Sequence, residues 1–240
     1  MRKIVFIVLG LIGLGGMLFS LEAIYKSING YQESAKRYAN IQNVYKDFQT
    51  DSNSRQDVKN EMTSINDEYV GWITIQDTKV HYPVVKTDNN HFYLTHNFYK
   101  DKDMAGAIFM DYRNSTEKLD KNIVLYGHHM KDASMFGSLK KFKNQQFLNE
   151  HKVIRLDFLG SIYEWEIFSV YTDENTEWMK TNFTTMSEFG EYLHTVQKKS
   201  IVNQQVKISQ EDTILTLSTC TNNDEDERII VHAKLITKGM

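Results

Sequence analysis

Cys220 is the only cysteine in the 240 residues, and it ends a strand-like segment, TLSTC (216–220). Eight positions later Arg228 opens another, RIIVHAKLI (228–236), after the polar, acidic run TNNDEDE. Upstream, NIVLYG (122–127) leads directly into His128. A thiol, an imidazole and a guanidinium thus stand at the ends of three strand-like segments, where neighbouring strands would bring them to one rim. Each has work to do there. A free thiol with a pKa of ~8.5 is only a few per cent thiolate near neutrality and needs a nearby cation to become a nucleophile. A histidine titrating near ~6.5 can protonate a leaving amine and then deprotonate an incoming one. An arginine keeps its charge and offers several N–H donors to a developing oxyanion. Taken singly, each residue also has an ordinary reading: core filler, solvated histidine, surface arginine.

A single cysteine forms no internal disulfide and no cysteine-rich zinc site. Its significance depends on compartment, and the N-terminus speaks to that. Ile4 to Leu21 runs 18 residues without a charge, behind Arg2 and Lys3 and ahead of Glu22. That length approaches what spans the ~30 Å hydrocarbon layer, and the preceding positive charges keep the N-terminal side in the cytoplasm. The segment ends GGMLFSLEA without a small-x-small cleavage pattern, which favours an uncleaved anchor over a signal peptide. A soluble core helix rarely lacks a polar face over such a length. The expectation is a single-pass membrane protein with its bulk outside, where a lone thiol stands out as reactive or intermolecular.

The remaining composition is that of a globular protein: 41% hydrophobic, 25% charged, net charge −3. Nothing in that balance favours nucleic acid as a partner. Residues 22 to about 50 carry Ile24, Ile28, Tyr31, Tyr38, Ile41, Tyr45 and Phe48 at helical spacing. Asp51 to Gln56 is a polar break, and Val58, Met62 and Ile65 indicate a second short helix. From Gly71 the period shortens. GWITI (71–75), KVHYPVV (79–85), GAIFM (106–110), NIVLYG (122–127), KVIRLDF (152–158), IYEWEIFSVY (162–171), QVKIS (205–209), TILTLST (213–219) and RIIVHAKLI (228–236) read as strands. Many short strands with little helix alternation predict an antiparallel barrel or sandwich. Two helices are expected within it. One covers about Phe136 to His151; the other runs from about Met186 to Lys199, with Thr185 and Glu188 as a capping box.

TLSTC, the arginine eight positions on and the Gly127–His128 pair resemble the signature of the sortase family, in family order. YGHH, DEYVGW (67–72) and GAIFMDYRN (106–114) are similar to its class B members, cysteine transpeptidases of Gram-positive bacteria. The resemblance covers roughly residues 65 to 236 plus the anchor. It implies a mainly β fold with added helices: a closed β-barrel of about eight strands, N-terminal helices and an insertion helix before the last strands. The division would be 1–21 anchor, 22–66 helical stalk and 67–240 catalytic barrel.

The reaction implied is transpeptidation. Cys220 attacks a backbone carbonyl in a C-terminal sorting motif of an exported protein, with His128 as acid and base and Arg228 at the oxyanion. A peptidoglycan precursor amine then resolves the thioacyl enzyme and fixes the protein to the cell wall. His128 is preferred to His129 because it directly follows the glycine, and adjacent residues on extended backbone face opposite ways. Similarity to class B further implies substrate contacts at Asn90, Leu94, Tyr126, Trp178, Met179 and Ser218.

No cofactor and no metal are expected. The acidic run Asp224 to Glu227 lacks the EF-hand pattern, and His91 and His96 are weak as a metal pair. Rival readings are a hydrolytic cysteine protease, a membrane-tethered binding module with vestigial residues, and a metal-dependent enzyme.

Overall fold

The computed structural model describes residues 2–51, 55–220 and 228–238. They form two compact units, Met1–Ile41 and Gln42–Met240. One helix, α1 (Arg2–Asp51), runs through the first unit and into the second. The expected anchor and the following amphipathic stretch are therefore continuous, and Gly30 does not interrupt them. Over Arg2–Asp47 this helix is long and apolar enough to cross a membrane, with a mean hydropathy of 2.6 in its most apolar window. Phe6, Leu11 and Phe19 on it are exposed.

In the second unit the last turns of α1 dock through Tyr45. Its ring stacks on Trp72 with centroids 3.7 Å apart, and Gln42 donates to the His81 carbonyl at 2.7 Å. Helix α2 (Arg55–Ile65) follows. Eight strands then close a barrel: β1 (Tyr69–Ile75), β2 (His81–Val85), β3 (Ile108–Met110), β4 (Asn122–His128), β5 (Val153–Phe158), β6 (Ser161–Asp173), β7 (Ile214–Cys220) and β8 (Arg228–Lys238). Their order around the wall is β1-β2-β3-β4-β7-β8-β6-β5. Leu125, Leu156, Trp165, Ile167, Leu215, Leu217 and Val231 belong to the core and are fully buried. Each such side chain contributes about 1.5–3 kcal/mol of transfer free energy.

Two features depart from the antiparallel pattern read in the sequence: β2 pairs with β3, and β4 with β7, in parallel. A parallel neighbour needs a long crossover, and β5, β6 and α4 (Met186–Lys198) supply it between β4 and β7. QVKIS (205–209) is not a strand. Strand β7 already has β4 on one side and β8 on the other, so a closed wall leaves no edge for QVKIS to join.

The helix expected over 136–151 is two pieces, a 3-10 segment (Phe136–Lys143) and α3 (Gln145–Glu150). Asn144 separates them in an extended conformation, its side chain accepting from the Phe147 N–H as an N-cap. Helix α4 begins as predicted. Thr185 Oγ1 accepts from the Glu188 N–H at 3.1 Å, while the Glu188 carboxylate reaches back to the Thr184 N–H.

Candidate active site

The register between β4 and β7 sets the site. Parallel pairing runs from Asn122↔Ile214 to His128↔Cys220, so the last residues of the two strands lie side by side on the backbone. On the other flank of β7, antiparallel pairing with β8 ends at Ser218↔Ile230, two residues short of Cys220 and Arg228. Thr219 joins the strands beyond that point. Its Oγ1 accepts from the Ile229 N–H at 3.0 Å, and its carbonyl accepts from Arg228 Nη1 at 3.5 Å. Cys220 is placed by its backbone. The acidic run Asp224 to Glu227 lies outside the described residues.

Glycine before the histidine has a steric reason. A Cβ at Gly127 would come within 2.4 Å of Ile108 Cδ1 and 3.0 Å of the Phe136 ring. Gly106, two residues before β3, lies against the histidine ring. It has φ +56°, and a Cβ there would meet the Tyr93 carbonyl at 2.5 Å and His128 Cδ2 at 3.1 Å. Gly127 thus leaves room for the Ile108 and Phe136 side chains, and Gly106 for the Tyr93–Leu94 backbone and the His128 ring. Of the histidine pair, His128 is buried at the end of β4 and His129, just beyond it, is exposed. His128 Nε2 bonds the Leu94 carbonyl. A carbonyl only accepts, so Nε2 carries a proton.

His128 and Arg228 line a common cavity of about 580 Å³. Asn90, Leu94, Tyr126 and Met179 line it too. Trp178 and Ser218 are not among its lining residues. Trp178 is 1% exposed, its Nε1 donates to the Asn175 carbonyl at 2.6 Å, and its ring lies 6.0 Å from Arg228 Cζ. It packs behind the guanidinium. Ser218 is fully buried on β7, with its hydroxyl donating to the Thr219 carbonyl.

Sequence reasoning passed over His91, Thr95, Asp103, Met104 and Phe109, which complete the lining. All but Phe109 come from the segment between β2 and β3, whose length was itself a signal, since long loops on a rigid scaffold often carry binding residues. It also passed over Asp111 and Arg113, inside the GAIFMDYRN segment. Asp111 is fully buried and pairs with Arg113. Burial alone would raise its carboxyl. Hydrogen bonds from Arg113 and Tyr126 outweigh that and hold it below the ordinary carboxylate range. Among the described residues, no group of three His, Cys, Asp or Glu is arranged to hold a metal ion.

The architecture is a closed β-barrel with a cavity at one strand edge and a long apolar helix at its N-terminus. The sequence profile of the sortase domain matches residues 73–236. The chain is 37% identical over 236 residues to Sortase B of Listeria monocytogenes, covering 96% of each. It is 34% identical over 219 residues to Sortase B of Staphylococcus aureus, covering 88% of this chain and 90% of that one. Among solved structures, sortase B from B. anthracis in complex with AAEK1 superposes with a TM-score of 0.80 at 37% identity, over 87% of this chain and 98% of that one. A Staphylococcus aureus sortase B–substrate complex superposes with a TM-score of 0.81 at 31% identity, over 86% and 97%. The chain belongs to the sortase family, on its class B branch.

Proposed function

We propose that this sortase cleaves a C-terminal sorting motif in exported proteins through a thioacyl enzyme on Cys220 and transfers the new carboxyl end to a peptidoglycan amine. The observation that carries the reading is the β4–β7 register, which ends with His128 beside Cys220 at the edge of a cavity also lined by Arg228. The Cys220 sulfur adds to the carbonyl carbon of the scissile bond, and the Arg228 guanidinium stabilises the resulting oxyanion. The C–N bond breaks as His128 gives a proton to the leaving amine. The incoming amine attacks the thioester, His128 takes its proton, and the Cys220 sulfur leaves. Asn90, Leu94, Tyr126 and Met179 form the walls that hold the peptide. Trp178 supports Arg228 from behind. The apolar part of α1 anchors the enzyme in the cell membrane with its barrel outside, near exported substrates and wall precursors.

A cleavage screen of candidate sorting peptides, with and without an added amine, tests this. Wild type should cleave a subset and form an amide with the amine. Cys220→Ala should abolish turnover and thioacyl adduct, and Arg228→Lys should lower turnover by about a hundredfold as a point charge replaces the planar fork. Cleavage that persists in Cys220→Ala would refute the assignment of the nucleophile. Hydrolysis with no transfer at any amine concentration would make the enzyme a protease instead.

A further inference from the structure

Asp111 follows β3 immediately and is fully buried. Donors from Arg113, Tyr126 and Asn90 converge on its carboxylate. Arg113 gives Nε and Nη2, each at 2.8 Å, and its backbone N–H at 2.9 Å. Tyr126 Oη donates at 2.6 Å and Asn90 Nδ2 at 3.0 Å; the Asn90 amide oxygen accepts from the Tyr112 N–H at 3.0 Å. Arg113 also reaches a second wall, because its Nη2 donates to the Met179 carbonyl at 2.8 Å. The carbonyls on either side are held as well. Trp178 O accepts from Tyr192 Oη at 2.9 Å, and Lys180 O from Asn122 Nδ2 at 2.8 Å.

Three cavity-lining residues from distant parts of the chain therefore meet at one ion pair. Asn90 comes from the β2–β3 segment, Tyr126 from β4, and Met179 from the 3-10 turn Glu177–Met179 between β6 and α4. A buried ion pair is a poor source of net stability, because desolvating the charges offsets their attraction. Its geometric effect is more specific. It fixes the hydroxyl direction of Tyr126, the amide plane of Asn90 and the height of the Met179 backbone at once. A groove whose walls are set before the peptide arrives loses less ordering entropy on binding.

We propose that Asp111 and Arg113 are positioning residues that hold Asn90, Tyr126 and Met179 at the spacing the sorting peptide requires. This role deepens the proposed transpeptidase function and rests on it. Neither residue lines the cavity, so each acts through the residues it holds.

The test uses the full chain in detergent micelles. The probe is the internally quenched hexapeptide that wild type cleaves best from a random library. Asp111→Asn and Arg113→Lys should each raise KM by about tenfold and leave kcat within about threefold of wild type, the signature of lost peptide binding before the chemical step. Because Cys220 is the sole thiol, its iodoacetamide alkylation rate reports the nucleophile directly, and the rate and its pH profile should not change. Combining Asp111→Asn with Tyr126→Phe should raise KM by less than the product of the two single effects, because the residues act as one unit.

A folded Asp111→Asn with unchanged KM would overturn the proposal. So would a loss of kcat that merely follows a lowered melting temperature, with KM constant. Should Asp111→Asn fail to fold, Arg113→Lys decides the matter by the same two readouts, since that side chain is about a third exposed. If wild type is alkylated yet cleaves nothing in the library, the transpeptidase reading falls and the positioning role falls with it. If wild type cleaves normally and only the KM effect is missing, the positioning role alone is lost.

Discussion

His128 and His232 sit on the two strands, β4 and β8, that flank β7, and both are buried. Only His128 borders the cavity. His232 is enclosed by its own partners: Nδ1 lies 2.8 Å from Thr216 Oγ1, and Nε2 lies 2.9 Å from Tyr171 Oη. Thr216 gives its hydroxyl proton to Asn122 Oδ1 at 2.6 Å, so it accepts from Nδ1–H, and Nε2 accepts from Tyr171. Burial, and secondarily the charge of Lys199, pushes His232 down to about 3. It stays neutral and holds strands together. On the proposed mechanism, burial does not distinguish the two: His128 differs from His232 in the open space beside it and in having Cys220 in register.

The two histidines should separate most visibly in activity. His128→Asn should reduce turnover about a thousandfold, the scale of a lost general acid and base, while melting temperature stays close to wild type. Steady-state cleavage beside a thermal melt checks both. His232→Ala should do the reverse. It removes two buried hydrogen bonds and leaves a cavity, so stability in urea at pH 7 should fall by about 3 kcal/mol. Turnover per folded molecule should stay within about twofold of wild type, as for a site outside the chemistry.

Acid sharpens the contrast. An unfolded histidine titrates near ~6.5, whereas folded His232 titrates at about 3. Between those values the unfolded chain binds a proton that the folded chain does not. The contribution is thus fully present above ~6.5 and is lost as pH falls toward the folded value, by up to about 1.4 kcal/mol per pH unit. Wild type should lose stability faster than His232→Ala from about pH 6.5 downward. Equal slopes in the two proteins would show that His232 is not the titrating group.

Much of the site is readable in the sequence, and for physical reasons. Strand periodicity and chain punctuation locate TLSTC, LYGH and Arg228 at strand ends, although β4 runs through Gly127 to His128 rather than breaking at the glycine, whose missing side chain makes room for Ile108 and Phe136. What cannot be read is whatever depends on closure. Local pattern offers QVKIS as a strand because nothing local says that both edges of β7 are taken. It leaves open whether His128 and Cys220 meet, while the parallel register that pairs them depends on a crossover through β5, β6 and α4. Trp178 is expected in the groove only through the resemblance to class B. Its burial behind Arg228 depends on the bend of the Glu177–Met179 turn. Asp111 and Arg113 look like surface charges next to a strand, and only the fold brings Asn90 and Met179 to them.

The smallest expected effect tests how separate the two histidines are. From His232 a run of hydrogen bonds passes through Thr216 to Asn122, whose Nδ2 donates to the Lys180 carbonyl beside Met179. The core network therefore touches the groove wall at its far end. Tyr171→Phe removes one buried donor at the near end and leaves the ring packing in place. It should cost about 1 kcal/mol in stability, the ordinary worth of one such bond, with kcat and KM unchanged, because Asn122, Tyr192 and Arg113 still hold the turn. A peptide KM that rises severalfold in this variant would mean that the core histidine sets the height of the Met179 wall. Stability and recognition would then share one network, and the boundary between His128 and His232 would have to be redrawn around Asn122.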